Sequence, residues 1–380
     1  MHNGSGTACC ESENRMKIVQ LLPELHEGGV ERGVVELNRE FVKRGLVSIV
    51  ISRGGRLVDQ IRKEGGEHLA FDVCSKNPLT VPQRVVRLKS IFQQIHPDIL
   101  HSRSRVPAWL AYMANRSLRI PFVTTVHGFN SVNPYSRVMT YGDRVICVSI
   151  AIRDHIRHHY RVPDEKIVVI SRGVDLDQFD PGKVNRFFMY DFIKEFDLEG
   201  RFVVSTIGRI SQLKDHETFI RAIGLLCREV PGTLGLIVGG AREDKKRYLE
   251  SLKKLVTSLG LEKHVMFAGS QSSMAEIYAL SEVVVSSSRK PESFGRTAAE
   301  ALAMNVPVVA TAHGGILEIV REGETGFLFR PRDHEDLARK ILLARDLCKD
   351  NFRRYIMENY SIDSMAEKTV LLYKNIAKIV

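Results

Sequence analysis

Residues 286–311 read SSSRKPESFGRTAAEALAMNVPVVAT. A β-branched run, VVVSSS (283–288), stops at a loop carrying Glu292, a helix starts near Gly295–Thr297, and VPVVAT (306–311) begins the next apolar run. Strand, helix and strand at this spacing make a βαβ unit, which brings parallel strands side by side. Glu300 falls eight positions after Glu292, on the second turn of the helix, among Ala298, Ala299, Ala301, Leu302 and Ala303. Neighbours so apolar mark a largely buried helix, in which a carboxylate needs a partner. The head of the helix offers free N–H groups and the positive end of its dipole, an arrangement that favours phosphate, and Gly295 lets a ligand approach the backbone. Glu292 and Glu300 accept hydrogen bonds, which suits a hydroxyl-rich group such as ribose or a hexose.

The same alternation runs outward in both directions. KIVQLL, VSIVIS, DILHS, FVTTVHG, RVICVS and KIVVIS are strand candidates in the first half, with a helix expected from about Val30 to Lys43. A polar, irregular stretch around Asp175–Gly200 follows, and the pattern restarts with RFVVSTIGR, LGLIVGG, HVMFAG, VVVSSS and VPVVAT. Helices are expected between these strands near residues 216–228, 245–258, 274–280 and 296–303. The fold class is therefore α/β, with two doubly wound, Rossmann-like domains in tandem, and ligands are expected at the C-terminal ends of the strands. The expected division is a disordered leader over 1–15, a first domain over 16–190 and a second over 191–360. A last helix pattern, from about Ser361 to Ile379, is placed to cross back onto the first domain.

At 380 residues, 44% hydrophobic and 26% charged, the chain is too long for one comfortable core. It contains no apolar run of the roughly 18 residues that a membrane-spanning helix needs, and its first fifteen residues lack the apolar stretch of a signal peptide. A cytoplasmic protein is expected. The six cysteines are scattered with no C-x-x-C pair, which argues against a disulfide framework or a zinc site. The net charge of +10 is uneven: residues 1–190 hold 27 Lys/Arg against 19 Asp/Glu, and residues 191–380 hold 28 against 26. A basic first half suits an anionic membrane surface or a phosphorylated substrate. Nucleic acid is not expected as a partner, because no basic stretch is interleaved with aromatics.

The pair Glu292 and Glu300 within E-S-F-G-R-T-A-A-E-A-L-A-M, followed by VPVVAT and HGG, resembles the E-x7-E signature of glycosyltransferase family 4, whose GT-B fold sets two Rossmann-like domains across a cleft. GRISQLKD (208–215) resembles the family's G-R-x-x-x-x-K segment, and the resemblance gives Arg209 and Lys214 the task of neutralising the donor diphosphate. Both follow a strand, where a cation stabilises a leaving diphosphate. The resemblance implies donor contacts from Gly208, Ser293, Phe294, Gly295, Arg296, Thr297 and Glu300, and from the Gly28–Gly29 loop after the first strand, with Gly29 beside the diphosphate. It places His127 near the donor sugar, where it would orient hydroxyls. HSRSRVPAW, NPYSRVMTYGDRVICVS and SRGVDLDQF resemble the lipopolysaccharide and capsule branch, adding Arg103, Arg105, Tyr135, Ser136, Ser149 and Arg172 as cleft candidates, of which Arg103, Arg105, Tyr135 and Arg172 are the acceptor candidates. Arg296 departs from the family's usual apolar residue, Asn305 from its usual glycine, and GGAR (239–242) from its G-D-G.

Membership implies retaining transfer by front-face displacement through an oxocarbenium-like state, with the donor phosphate taking the acceptor proton. The donor is expected to be a UDP-sugar, with a GDP-sugar second, and the acceptor a glycan or a lipid-linked glycan, presented at the inner membrane face to a peripherally attached enzyme. No metal or other cofactor is expected. Two rivals stand beside this reading: a sugar-nucleotide epimerase of the same fold, which needs no acceptor, and a non-catalytic sugar-nucleotide sensor.

Overall fold

The computed structural model describes residues 15–26 and 28–378. The expected leader, with Cys9 and Cys10, lies outside the described residues except for Arg15. The described residues divide into two compact units, one formed by those up to 148, by 152–171 and by those from 362 on, the other by 149–151 and 172–361.

In the first unit the elements are β1 (Lys17–Leu21), α1 (Gly29–Lys43), β2 (Val47–Ser52), α2 (Val58–Lys63), β3 (Glu67–Ala70), α3 (Val81–Ile95), β4 (Ile99–Ser102), α4 (Arg105–Asn115), β5 (Phe122–Val126), β6 (Arg144–Cys147), α5 (Ile150–Tyr160) and β7 (Ile167–Val169). The strands form one seven-stranded parallel sheet in the order β3-β2-β1-β4-β5-β6-β7. Burial on both faces explains why the central strands read as continuous apolar runs. One face carries a core that includes Leu88, Phe92, Leu110 and Ile152, from α3, α4 and α5. The other is covered by α1 together with a helix from much later in the chain.

The second unit contains α6 (Arg186–Glu195), β8 (Phe202–Ile207), α7 (His216–Glu229), β9 (Thr233–Val238), α8 (Lys246–Ser258), β10 (Val265–Gly269), α9 (Met274–Ala279), β11 (Val283–Ser286), α10 (Arg296–Ala303), β12 (Val308–Thr311), β13 (Gly326–Phe329), α11 (His334–Arg345) and α12 (Phe352–Tyr360). Its six parallel strands are ordered β10-β9-β8-β11-β12-β13, repeating the winding of the first sheet. In both sheets the winding direction reverses once, between β1 and β4 and between β8 and β11, and crevices outside the strand ends at such reversals are the usual ligand sites of doubly wound folds.

The stretch read as irregular over 175–200 holds a helix. Asn185 caps α6, its Oδ1 accepting from the amides of Phe187 and Phe188 at 3.1 and 3.2 Å. The crossover between units falls at 171/172, ahead of the expected 190/191, because Val174 and Phe179 are buried in the second unit's core. Arg353 of α12 fixes that segment, donating to the carbonyls of Leu176 at 2.9 Å and Ala303 at 3.0 Å and also to that of Phe179.

After α12 the chain returns to the first unit as α13 (Ile362–Ala377). Its buried residues Ile362, Met365, Ala366, Thr369, Leu372 and Tyr373 recur at helical spacing and meet Leu37 and Phe41 of α1. Burial of Leu372 and Tyr373 contributes about 1.5–3 kcal/mol each by area. Tyr373 Oη also meets Nδ1 of the fully buried His101, whose Nε2 lies 2.6 Å from Thr125 Oγ1. Burial, helped by the neighbouring Arg103 charge, drives the His101 pKa well below the ordinary histidine value, so the ring is neutral.

Candidate active site

The β8/β11 reversal gathers the residues that the sequence singled out in the second unit. After β8, Gly208 carries φ +150° and donates its amide to the Val238 carbonyl at 2.9 Å. Arg209 is exposed, with no hydrogen bond or ion pair to its guanidinium among the described residues. A short turn over 212–214 then places Lys214 so that its Nζ lies 2.5 Å from Glu292 Oε1, although the two stand 78 positions apart. Ser288 Oγ donates to the same carboxylate oxygen at 2.5 Å and Ser286 Oγ at 3.4 Å. Burial pushes the Glu292 pKa up, but the Lys214 ammonium and these hydrogen bonds outweigh it and hold the carboxyl below its usual value.

The loop that carries Lys214 is itself fastened. Ser287 Oγ donates to the main-chain oxygens of Lys214 at 2.8 Å and Asp215 at 3.2 Å. Asp215 is buried, with φ +50°, and its carboxylate takes Thr218 Oγ1 at 2.8 Å and Arg289 Nε at 3.0 Å. Sequence reasoning missed Ser286, Ser287, Ser288, Asp215 and Arg289. The three serines at the end of β11 were the available signal, since a hydroxyl run closing an otherwise apolar strand is ready to tie down neighbouring loops.

Behind Glu292 the chain runs into α10. Gly295, with φ +103°, caps the helix, and its carbonyl takes the amides of Ala298 and Ala299, leaving those of Arg296 and Thr297 ahead of the first intrahelical bonds. Phe294 is 3% exposed and its ring packs against Tyr360, which leaves its main chain for a ligand. Glu300 is buried and has the partner its position demanded, Tyr278 Oη at 2.8 Å, with Arg296 Nε also at 2.8 Å one helical turn back. Arg296, anomalous by sequence, is thus the counter-charge of a buried carboxylate. Asn305 adopts φ +58°, the left-handed conformation that asparagine tolerates.

GGAR (239–242) also acquires a role. Gly239 has φ +148°, and a Cβ there would lie 2.0 Å from the Gly208 carbonyl oxygen. Only glycine lets the β9 turn pass against the β8 turn that leads to Arg209.

In the first unit, Gly29 opens α1, and Glu31 lies against Gly28 at the same helix head. His127 is half-buried just past β5. Arg103 is 6% exposed, with Nη2 donating to Gln20 Oε1 at 2.7 Å. Arg105 is half-buried, its guanidinium 5.4 Å from the Tyr135 ring centroid and its Nη1 3.2 Å from Ser136 Oγ. Ser149 and Arg172 belong to the second unit, the first buried and the second half-buried.

Both halves of the chain resemble known proteins. Residues 191–359 match the family model for glycosyl transferases group 1, and residues 27–178 that for glycosyltransferase family 4. The chain is 30% identical over 290 residues to a D-inositol 3-phosphate glycosyltransferase of Actinosynnema mirum, covering 69% of this chain and 68% of that one. The chain belongs to glycosyltransferase family 4. A crystal structure of a glycosyltransferase from Rickettsia africae superposes with a TM-score of 0.89 at 31% identity, over 97% of this chain and all of that one. Anabaena Alr3699/HepE, solved in complex with UDP, superposes with a TM-score of 0.83 at 21% identity, over 95% of this chain and all of that one. The fold is GT-B, and the protein is a glycosyltransferase, as the resemblance implied. Among the described residues no helix of this family member is long and apolar enough to cross a membrane.

Proposed function

We propose that the protein transfers a hexose-type sugar, with retention of anomeric configuration, from a nucleoside diphosphate sugar to a glycan or glycolipid acceptor. The observation that carries the reading is the Lys214–Glu292 contact, which joins two distant motifs at the strand ends of the β8/β11 reversal. In this reading Arg209, Lys214 and the amides of Arg296 and Thr297 neutralise the diphosphate as the glycosidic C–O bond breaks. Glu292 and Glu300 accept from donor hydroxyls, and Gly208, Gly295 and the main chain of Ser293 and Phe294 let the donor lie close; the resemblance gives His127 and Gly29 donor contacts of their own. The acceptor hydroxyl attacks on the face the leaving group vacates, and a donor phosphate oxygen takes its proton. The complex of Anabaena Alr3699/HepE supports UDP as the nucleotide, ahead of GDP. Arg105, Tyr135, Arg103 and Arg172 are the acceptor-side candidates. The basic first half supports an acceptor of cell-surface polysaccharide synthesis, such as lipopolysaccharide, met by a cytoplasmic enzyme held at the inner membrane face.

A panel of UDP-, GDP-, ADP- and CDP-sugars, followed by nucleotide release and thermal shift for wild type and Lys214→Ala, tests the donor reading. Stabilisation and acceptor-dependent turnover by one donor, lost in the variant, are expected. Conversion of the donor sugar without acceptor would make the protein an epimerase, and binding without turnover a sensor.

A further inference from the structure

The first unit contains a cavity of about 260 Å³ between α3, α4 and the segment that precedes α3. Its walls are Val81, Val106, Leu110 and Met113, closed by the rings of Trp109 and Tyr135. Ser75 and two cations, Lys76 and Arg84, complete the lining, and none of the described residues that line it is acidic. Arg84 is 6% exposed. Its Nη1 and Nη2 donate to the carbonyls of Asp72 at 3.4 Å and Asn77 at 3.3 Å, while its buried Nε has no hydrogen-bond partner. The Asp72 carboxylate, close enough to feel the Arg84 charge, is committed to the amides of Cys74 at 3.0 Å and Ser75 at 2.9 Å. A buried guanidinium without a carboxylate partner is costly unless an anion completes it.

An apolar slot beside two positive charges selects a molecule with both characters. We propose that this cavity binds an amphiphilic anion, a hydrocarbon chain bearing a phosphate, with the chain between α3 and α4 and the phosphate on Arg84 and Lys76. The inference rests on the reading of this unit as the acceptor's, and makes that acceptor lipid-linked through a phosphate. Apolar walls hold the chain by removing it from water, while the cations fix the depth at which it stops. Arg105, stacked on Tyr135, adds a third cation near the mouth.

Trp109 is the chain's single tryptophan and lines the cavity, so its emission reports occupancy directly. We would titrate the full-length protein with decyl phosphate below its micelle concentration, with decyl maltoside and inorganic phosphate as comparators, and record nucleotide release from the donor in the same samples. A saturable change with decyl phosphate is expected, weakened roughly tenfold or more by Arg84→Gln. Val106→Phe, which fills the slot, is expected to abolish it while leaving the thermal midpoint near that of wild type. If Arg84→Gln does not fold, having lost its ties to residues 72 and 77, Lys76→Ala serves and should weaken binding severalfold. Equal affinity for decyl maltoside, an unchanged response in Val106→Phe, or no saturable response would overturn the proposal. Donor turnover without a Trp109 response would sink the cavity alone; a Trp109 response without donor turnover would sink the donor reading and leave the cavity standing.

Discussion

Replacing Lys214 with Met removes the ammonium that Glu292 faces at 2.5 Å while keeping a side chain of similar length. Two effects separate. The side chains of Lys214 and Glu292 are 29% and 17% exposed, so water screens the pair, and its loss is offset in part by the Ser286 and Ser288 hydroxyls that still donate to Glu292. A net stability loss of about 1–2 kcal/mol follows, far below the ~4 kcal/mol of direct attraction between charges 4 Å apart at an effective dielectric of about 20. For a unit of this size that is roughly 2–8 °C in Tm. In the proposed reading the catalytic effect is larger, because a cation facing the departing diphosphate acts on charge that grows in the transition state. Its removal is expected to lower kcat by about 10²- to 10³-fold. Nucleotide release under saturating donor and acceptor, beside a melting curve, measures both. Val256→Ala, buried in α8 away from the β8/β11 strand ends, matches the stability loss at about 1–2 kcal/mol and should leave kcat within a fewfold of wild type. If Lys214→Met retained kcat within about fivefold, the diphosphate assignment would be wrong. If Val256→Ala lost as much activity as Lys214→Met, the loss would belong to folding.

His216, at the start of α7, is buried beside Lys214, and its pKa falls from 6.5 to about 4, first by burial and then by the lysine charge. Its lowered folded value means that the unfolded chain takes up the proton first. Stability is therefore lost as pH falls from about 6.5 towards 4, by about 2 kcal/mol at pH 5 from this residue; His216→Gln should flatten that part of a urea-midpoint profile, and an unchanged slope would refute it. The depressed Glu292 pKa has its own window: its contribution is intact above the unfolded carboxylate value and goes as pH falls through the lower folded one, so Glu292→Gln should alter acid unfolding only below about pH 4.5. Gly239→Ala should cost at least about 2–3 kcal/mol, whereas Gly260→Ala, with φ +66° but open space around it, should cost about 1 kcal/mol; equal denaturant midpoints for the two would dismiss the close approach to Gly208. Tyr373→Phe strands His101 Nδ1 in the core and is expected to cost about 1–3 kcal/mol in the first unit, read by hydrogen exchange of β4 amides, with unaltered protection as the contrary result.

The strands that were legible in the sequence lie mostly inside the sheets, buried on both faces and written as apolar runs, such as VSIVIS and RFVVSTI. β3 and β13 escaped notice because each lies at a sheet edge, partly exposed, and EHLA and GFLF carry no alternation over four residues. α6 escaped because its apolar residues, Phe187, Phe188, Met189, Tyr190, Phe192 and Ile193, do not fall on one face, and of them only Phe192 is buried. At the candidate site, the residue types and spacing of 208–215 and 286–300 named Arg209, Lys214, Glu292 and Glu300. The partners that orient them did not show, because Tyr278 and the serines at 286–288 act through contacts that only the folded sheet creates.

The detached membership of α13 sets the order in which the molecule can be completed during synthesis. When residue 171 leaves the ribosome, the seven strands of the first sheet exist, but the face with Ile18, Ile99 and Ile146 still lacks Leu372 and Tyr373. Everything from 172 to 361, nearly all of the second unit, is made in the interval, about ten to forty seconds at ordinary rates of synthesis. The earlier-made unit thus finishes after the later one, with the part of that apolar face beside α1 uncovered meanwhile. A nascent chain stalled in that window is where chaperone dependence and premature association of this protein would concentrate.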